Sequence, residues 1–204
     1  MKFKFKIQQY QTDAVENTVH VFNGQPSKEA SVYRRDLGKH KPGAIEYEEE
    51  YIGYRNQDVE LDDTHLLDNI RHIQVDSEIP QSKELVRQNG LGACSLDIEM
   101  ETGTGKTYVY IKTMFELNKI YGWSKFIVVV PSIAIREGVL KSFEMLEDHF
   151  MEQYGKKPRY FIYNSSNLQQ IDGFSSDANI NVMIINVQAF NTSFKEDANN
   201  KDAR

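Results

Sequence analysis

Cysteine is almost absent from this sequence, since Cys94 is the only one among 204 residues. A single cysteine excludes a disulfide framework and zinc sites built from paired cysteines, and Cys94 is expected to be a small buried apolar residue. No stretch reaches the ~18 apolar residues of a membrane span. The lysines near the N terminus lack the apolar segment that follows them in a signal peptide. These absences predict a cytoplasmic protein with no membrane contact.

An excess of basic charge is also missing, because the formal net charge is −6. Proteins that grip nucleic acid usually carry a basic patch. The acidic residues are concentrated, however, in one short region between positions 46 and 63, where they indicate a solvated face or loop. This run comprises Glu46, Glu48, Glu49, Glu50, Asp58, Glu60, Asp62 and Asp63. The net charge therefore does not exclude a basic surface elsewhere.

Metal-ligand spacing is absent among the five histidines, and no histidine pairs with a nucleophile. We interpret all five as structural or surface residues. They are His20, His40, His65, His72 and His149. The sequence thus predicts neither a histidine-based metal centre nor a hydrolytic triad.

Apolar periodicity indicates a series of alternating helices and strands. Spacings of three and four predict helices over 10–22, 105–121 and 133–154, with a shorter one around 66–73. Near-continuous apolar runs predict strands at 93–100, 125–130, 159–163 and 180–187, and the run at 125–130 is typical of a strand buried on both faces. The order strand, helix, strand predicts an α/β fold with a mostly parallel sheet and flanking helices. Residues 25–93 are polar and irregular, and they read as an insertion.

The strongest local signal is Thr102-Gly103-Thr104-Gly105-Lys106-Thr107 between a predicted strand and a predicted helix. Glycines let backbone N–H groups approach phosphates, and the helix N terminus favours anions. Lys106 can reach the β- and γ-phosphates of ATP, and the Thr107 hydroxyl can ligate Mg²⁺. The general P-loop has a glycine where this sequence has Met100, so the match is to a variant of that pattern.

This variant loop resembles motif I of superfamily 2 helicases and translocases. With its flanks Leu96–Tyr108, Thr113–Asn118 and Phe126–Ser132, the chain resembles the restriction (Res) subunits of type III restriction–modification systems. The resemblance covers about Gly92 to Phe150 closely and the rest more loosely. It implies an incomplete first RecA-like P-loop NTPase domain over 1–204, with 25–93 inserted before the P-loop.

The resemblance also assigns roles to individual residues. It implies that residues Thr102 to Thr107 bind ATP, with Lys106 catalytic and Thr107 on Mg²⁺. Gln11, in the Tyr10-Gln11 pair followed by Ala14, resembles the adenine-reading glutamine of these motors. Residues after two strands resemble DNA-backbone contacts, and the alternative is plain helix capping and ordinary strand ends. These DNA candidates are Pro131, Ser132, Arg136, Asn186 and Gln188.

The functional parts that complete such a motor are not found in this sequence. Hydrolysis needs a carboxylate for Mg²⁺ and another for water, yet no apolar strand is followed by an Asp-Glu pair. Asp97, Glu99 and Glu101 lie near the loop and are not assigned as catalysts. The resemblance implies an ATP-binding part of an ATP-dependent DNA translocase and endonuclease that acts on duplex DNA with a methyltransferase (Mod) subunit. Two alternatives stay open: a fragment of another superfamily 2 helicase, or a truncated nucleotide-binding remnant without catalysis.

Overall fold

The computed structural model describes residues 6–34, 52–90, 92–164, 168–189 and 191. Five helices and five strands lie in these ranges, together with one 3-10 turn at Gln88–Gly90. The helices are α1 Gln9–His20, α2 Asp63–Asp76, α3 Lys106–Tyr121, α4 Ile133–Tyr154 and α5 Leu168–Ser176. The strands are β1 Ser31–Arg34, β2 Ile52–Arg55, β3 Lys125–Val130, β4 Arg159–Ile162 and β5 Asn181–Asn186. Glu46 and Glu48 to Glu50 of the acidic run, and His40, lie outside the described residues.

The chain divides into two compact units. The first unit consists of Met1–Glu29 and Gln57–Trp123, and the second of Ala30–Asn56 and Ser124–Arg204. The predicted boundaries of a 25–93 insertion stay a prediction.

The first unit is built on α1, α2 and α3. The buried side chains Val15 and Val19 of α1 and Ile111 and Phe115 of α3 form its core. The Tyr121 hydroxyl at the end of α3 donates to the Val19 carbonyl at 3.1 Å. Helices α1 and α3 are therefore joined near their C-terminal ends.

The second unit contains a three-stranded parallel sheet in the order β3-β5-β4. The central strand β5 is almost entirely buried, and α4 packs against all three strands. The register pairs Val130 with Asn186, so the carboxyl ends of β3 and β5 lie side by side. The predicted α/β class with a parallel sheet is confirmed.

An antiparallel hairpin of β1 and β2 belongs to the same unit, and the sequence gave no sign of it. Asn56, directly after β2, anchors the start of β3. Its side-chain oxygen accepts from the backbone N–H groups of Ser124 and Lys125, and its amide donates to the Lys125 carbonyl, each at 2.8 Å. One amide side chain thus satisfies three backbone groups on the outer edge of β3, much as a neighbouring strand would.

Two strand predictions are wrong in detail. Residues 93–100 lie in a described region but form no strand, and the Ser95 N–H donates instead to the Val86 carbonyl at 2.8 Å. Local apolar character does not make a strand where no hydrogen-bonded neighbour is available. The run at 125–130 is a strand, but Ile127 and Val129 are 50% and 43% exposed because β3 is an edge strand of the described sheet.

The remaining local expectations can be compared in the same way. Cys94 is half-buried and reduced, and burial raises the pKa of its thiol. Asp62 of the acidic run caps α2 by accepting from the His65 N–H at 2.9 Å. Among the residues that the structure describes, no helix has the length and apolar character needed to cross a bilayer.

Candidate nucleotide-binding site

The loop before α3 has the backbone geometry of an anion cradle. Gly103 and Gly105 adopt positive φ angles of +83° and +87°, a region that side chains with a Cβ disfavour. Gly105 is the residue that precedes the helix, so no side chain caps the first turn of α3. The leading N–H groups of a helix have no partner within it. The loop therefore offers backbone donors, at the positive end of a helix dipole, to a bound anion.

Lys106 lies in the first turn of α3 and folds back over the loop. Its ammonium donates to the carbonyls of Met100 at 2.6 Å and Glu101 at 2.8 Å. The Thr104 hydroxyl donates to the same Glu101 carbonyl at 2.6 Å. These bonds close the loop into a ring with the positive charge of Lys106 at its rim.

Helix α1 contacts the loop at one atom, the carbonyl oxygen of Thr104. Gln11 donates to it from Nε2 at 2.8 Å, and the Tyr10 hydroxyl donates to it at 3.2 Å. A Cβ placed on Gly105 would lie 2.4 Å from the Gln11 amide nitrogen. The structure thus brings Gln11 to the loop residues 104 and 105, and it adds Tyr10, whose role the sequence interpretation missed.

The remaining loop residues are accessible in different degrees. Thr102 and Lys106 are exposed, whereas Thr107 is half-buried in the first turn of α3. Asp97, Glu99 and Glu101 are all exposed. Within the described ranges, no group of three or more His, Cys, Asp or Glu side chains is placed to hold a metal ion. A magnesium ion here would depend on Thr107 and on oxygens of the nucleotide.

The DNA candidates lie in the second unit, where two strands end. Ser132, after β3, caps α4 because its side chain accepts from the Ile135 N–H at 3.3 Å. Arg136, in the first turn of α4, lies 3.1 Å from the Glu137 carboxylate, and its side chain is 20% exposed. Pro131 is exposed beside them.

The neighbouring strand β5 supplies the other two candidates. Asn186 is 7% exposed, opposite Val130 at the same end of the sheet, and Gln188 follows as an exposed residue. The parallel register therefore brings the two predicted strand-end motifs to one edge of the sheet. Burial of Asn186 favours a structural role for its side chain over direct contact with a ligand.

Comparison with known proteins places these observations in a wider context. The family described as "Type III restriction enzyme, res subunit" matches residues 4–204. The Res subunit of the type III restriction-modification enzyme EcoP15I from Escherichia coli is 34% identical over 150 residues, which cover 67% of this chain. The EcoPI Res subunit from Escherichia phage P1 is 33% identical over 167 residues, or 73% of this chain. The StyLTI Res subunit from Salmonella typhimurium is 39% identical over 87 residues, or 42% of this chain. The matched segments make up 15% and 17% of the length of the first two relatives.

Proposed function

Because the chain belongs to the family of type III restriction enzyme Res subunits, we propose that it is the ATP-binding N-terminal part of an ATP-dependent DNA translocase and endonuclease subunit. The observation that carries this proposal is the first turn of α3, which has left-handed glycines before it, no side-chain cap and Lys106 within it. That set of donors fits a polyphosphate. The family membership also makes the chain a partial RecA-like domain of the α/β class.

Lys106 has the central role in phosphate binding. Its ammonium now rests on two loop carbonyls, and a γ-phosphate oxygen would be a stronger, charge-assisted partner. Lys106 would exchange a carbonyl for that oxygen and thereby bring its charge onto the transferred group. Thr107 would hold Mg²⁺ through its hydroxyl, while Thr102 to Gly105 supply backbone donors.

Gln11 is proposed to select adenine. Its Nε2 carries two hydrogens, and one is used by the Thr104 carbonyl. The second hydrogen and the side-chain oxygen suffice for a bidentate contact with adenine N7 and N6. Gln11 can therefore touch the phosphate loop and the base at once.

The strand ends of the second unit are proposed as part of the DNA track. Pro131, Ser132 and Arg136 start α4, and Asn186 and Gln188 end β5 beside it. A helix N terminus and an arginine are common contacts of DNA phosphates. Duplex DNA is the proposed ligand of this edge, and the proposed protein partner is a methyltransferase (Mod) subunit. The family match favours this assignment over another superfamily 2 motor.

Hydrolysis is not proposed for this chain alone. The sequence contains no apolar strand followed by an Asp-Glu pair, and the chain spans 15% and 17% of two relatives. The carboxylates that position Mg²⁺ and water are therefore proposed to come from other parts of a Res subunit.

Isothermal titration of the chain with Mg·ATP tests the nucleotide site. Lys106→Ala should weaken ATP binding by at least about tenfold, because a charge-assisted contact with phosphate is lost. Lys119→Ala is the matched control, since Lys119 lies on the same helix at its far end and is 64% exposed. Equal affinity of Lys106→Ala and the unmodified chain would contradict the proposal, as would an equal loss in Lys119→Ala.

Binding of a fluorescent DNA duplex tests the second unit separately. Arg136→Ala should weaken binding by a few-fold at low salt and reduce the salt slope by about one, as expected for one lost phosphate contact. Lys141→Ala, an exposed charge farther along α4, controls for net charge. Identical effects of the two variants would argue against a specific contact at Arg136.

A further inference from the structure

The carbonyl of Thr104 is held by two neighbouring side chains of α1. Tyr10 donates from its hydroxyl at 3.2 Å, and Gln11 donates from Nε2 at 2.8 Å. A carbonyl oxygen has two lone pairs, so α1 can occupy both acceptor sites of this atom. Two donors from consecutive residues on one oxygen restrict both the position and the direction of that carbonyl.

Fixing the Thr104 carbonyl also fixes the first donor of the anion cradle. The peptide between Thr104 and Gly105 is planar, so the direction of its C=O determines the direction of its N–H. Gly105 has φ +87° and lies against Gln11, where a Cβ would approach within 2.4 Å. The Gly105 N–H is thus oriented by side chains outside the loop rather than by the loop alone.

Helix α1 is a firm support for this contact because it is also attached at its other end. Val15 and Val19 are 1% and 3% exposed, and the Val19 carbonyl accepts from the Tyr121 hydroxyl at 3.1 Å. Tyr10 and Gln11 contact the loop before α3, and Val19 contacts its last residue. The two helices therefore run side by side in the same direction within one unit.

We propose that Tyr10 is a positioning residue of the phosphate site: with Gln11 it forms a clamp on the Thr104 carbonyl that keeps the loop in its phosphate-binding form. This inference rests on the proposed ATP-binding function and extends it to a residue outside the loop. It assigns Tyr10 a role that is independent of the base, because its hydroxyl acts on the backbone of the loop. Gln11 has both roles, one on the loop and one on adenine.

The test compares Mg·ATP with inorganic tripolyphosphate, which has the phosphates but no base. Tyr10→Phe removes only the hydroxyl, and it should weaken the binding of both ligands by the same factor, about threefold to tenfold for one hydrogen bond. Gln11→Met should weaken tripolyphosphate similarly and ATP more strongly. Tyr33→Phe, which changes an exposed tyrosine of the second unit, should leave both affinities unchanged.

Thermal unfolding of each variant separates positioning from folding. Tyr10 is 48% exposed, so Tyr10→Phe should keep the unfolding midpoint while losing affinity. Loss of ATP binding alone would show that Tyr10 contacts the base, and unchanged affinity for both ligands would show that the clamp is dispensable; either result overturns the inference. If the unmodified chain bound neither ligand, the proposed function itself would fail, and the inference would fall with it.

Discussion

Helices α3 and α4 both follow a non-helical residue, but they use their first turns in different ways. Gly105 precedes α3 in a left-handed conformation and has no side chain to offer. Ser132 precedes α4 in an extended conformation and accepts a hydrogen bond from Ile135. A serine cap uses one of the orphan donors of the helix, whereas the glycine leaves them all for an external partner.

This difference predicts two anion sites of unequal strength. The start of α3 adds Lys106 and a clamped loop to its free donors. The start of α4 has a donor already bonded to Ser132, and Arg136 is beside the Glu137 carboxylate. The first arrangement suits one tightly held polyphosphate. The second suits a backbone phosphate of DNA, which is one contact among many.

The ends of the two helices provide the largest expected effect and a built-in control. Gly122 after α3 and Gly155 after α4 are both left-handed, at φ +78° and +64°. A Cβ on Gly122 would lie 2.0 Å from the Lys28 carbonyl oxygen, whereas one on Gly155 would meet nothing within 4 Å. Gly122→Ala should therefore cost about 3 kcal/mol or more, and Gly155→Ala only about 1 kcal/mol. Urea unfolding monitored by circular dichroism measures both, and equal losses would contradict the contact at Lys28.

Removing the cap of α4 is a smaller change that bears directly on the comparison. Ser132→Ala should destabilise the protein by about 1 kcal/mol, because the Ile135 N–H loses its partner. Ser142→Ala is the matched control within the same helix, since its hydroxyl donates to the Gly138 carbonyl in the helix interior. That change should cost little, because alanine is a better helix former than serine. A larger loss at Ser142 than at Ser132 would argue against the cap.

The smallest effect concerns the pH dependence of the strand that leads to α4. Burial lowers the pKa of Lys125 to about 8, while the nearby Asp177 raises it and Arg159 lowers it. Since the unfolded chain holds this proton up to a pKa near 10.5, the unfolded state binds more protons between pH 8 and 10.5, and stability from this group rises with pH across that window. The contribution is lost as the pH falls through 8.

Chemical unfolding of Lys125→Met at pH 7.5 and pH 9.5 measures this term. The unmodified protein should gain stability relative to Lys125→Met at the higher pH, by a modest amount because Lys125 is only half-buried. Lys119→Met, at an exposed position, should show no such difference. A difference between Lys125→Met and the unmodified protein that stays constant with pH would contradict the shift.

Much of this arrangement could be predicted from local sequence. The spacing of apolar residues gave α1, α3 and α4, and Ser132, Gly122 and Gly155 marked helix ends correctly. The β-branched run at 125–130 gave β3, and the glycines with Lys106 gave the loop. These features depend on residues close together in sequence, which is why pattern and capping rules find them.

The features that were missed depend on contacts distant in sequence. The hairpin of β1 and β2 has only four residues in each strand, and its partner segments are separated by residues 35–51. Asn56 is indistinguishable from other polar residues until β3 lies beside it. Tyr10 was visible next to Gln11, but only the Thr104 carbonyl explains its hydroxyl. Residues 93–100 had the apolar pattern of a strand, yet Ser95 bonds to Val86 instead of to a neighbouring strand.

The central claim is that the loop from Thr102 to Thr107 holds ATP while the carboxylates of hydrolysis lie outside this chain. Phosphate release from ATP by the purified chain, with and without duplex DNA and beside Lys106→Ala, tests it most directly. The account predicts Lys106-dependent ATP binding with no release above background in either condition. Lys106-dependent release that duplex DNA stimulates would contradict it, because a carboxylate within these 204 residues would then position the attacking water.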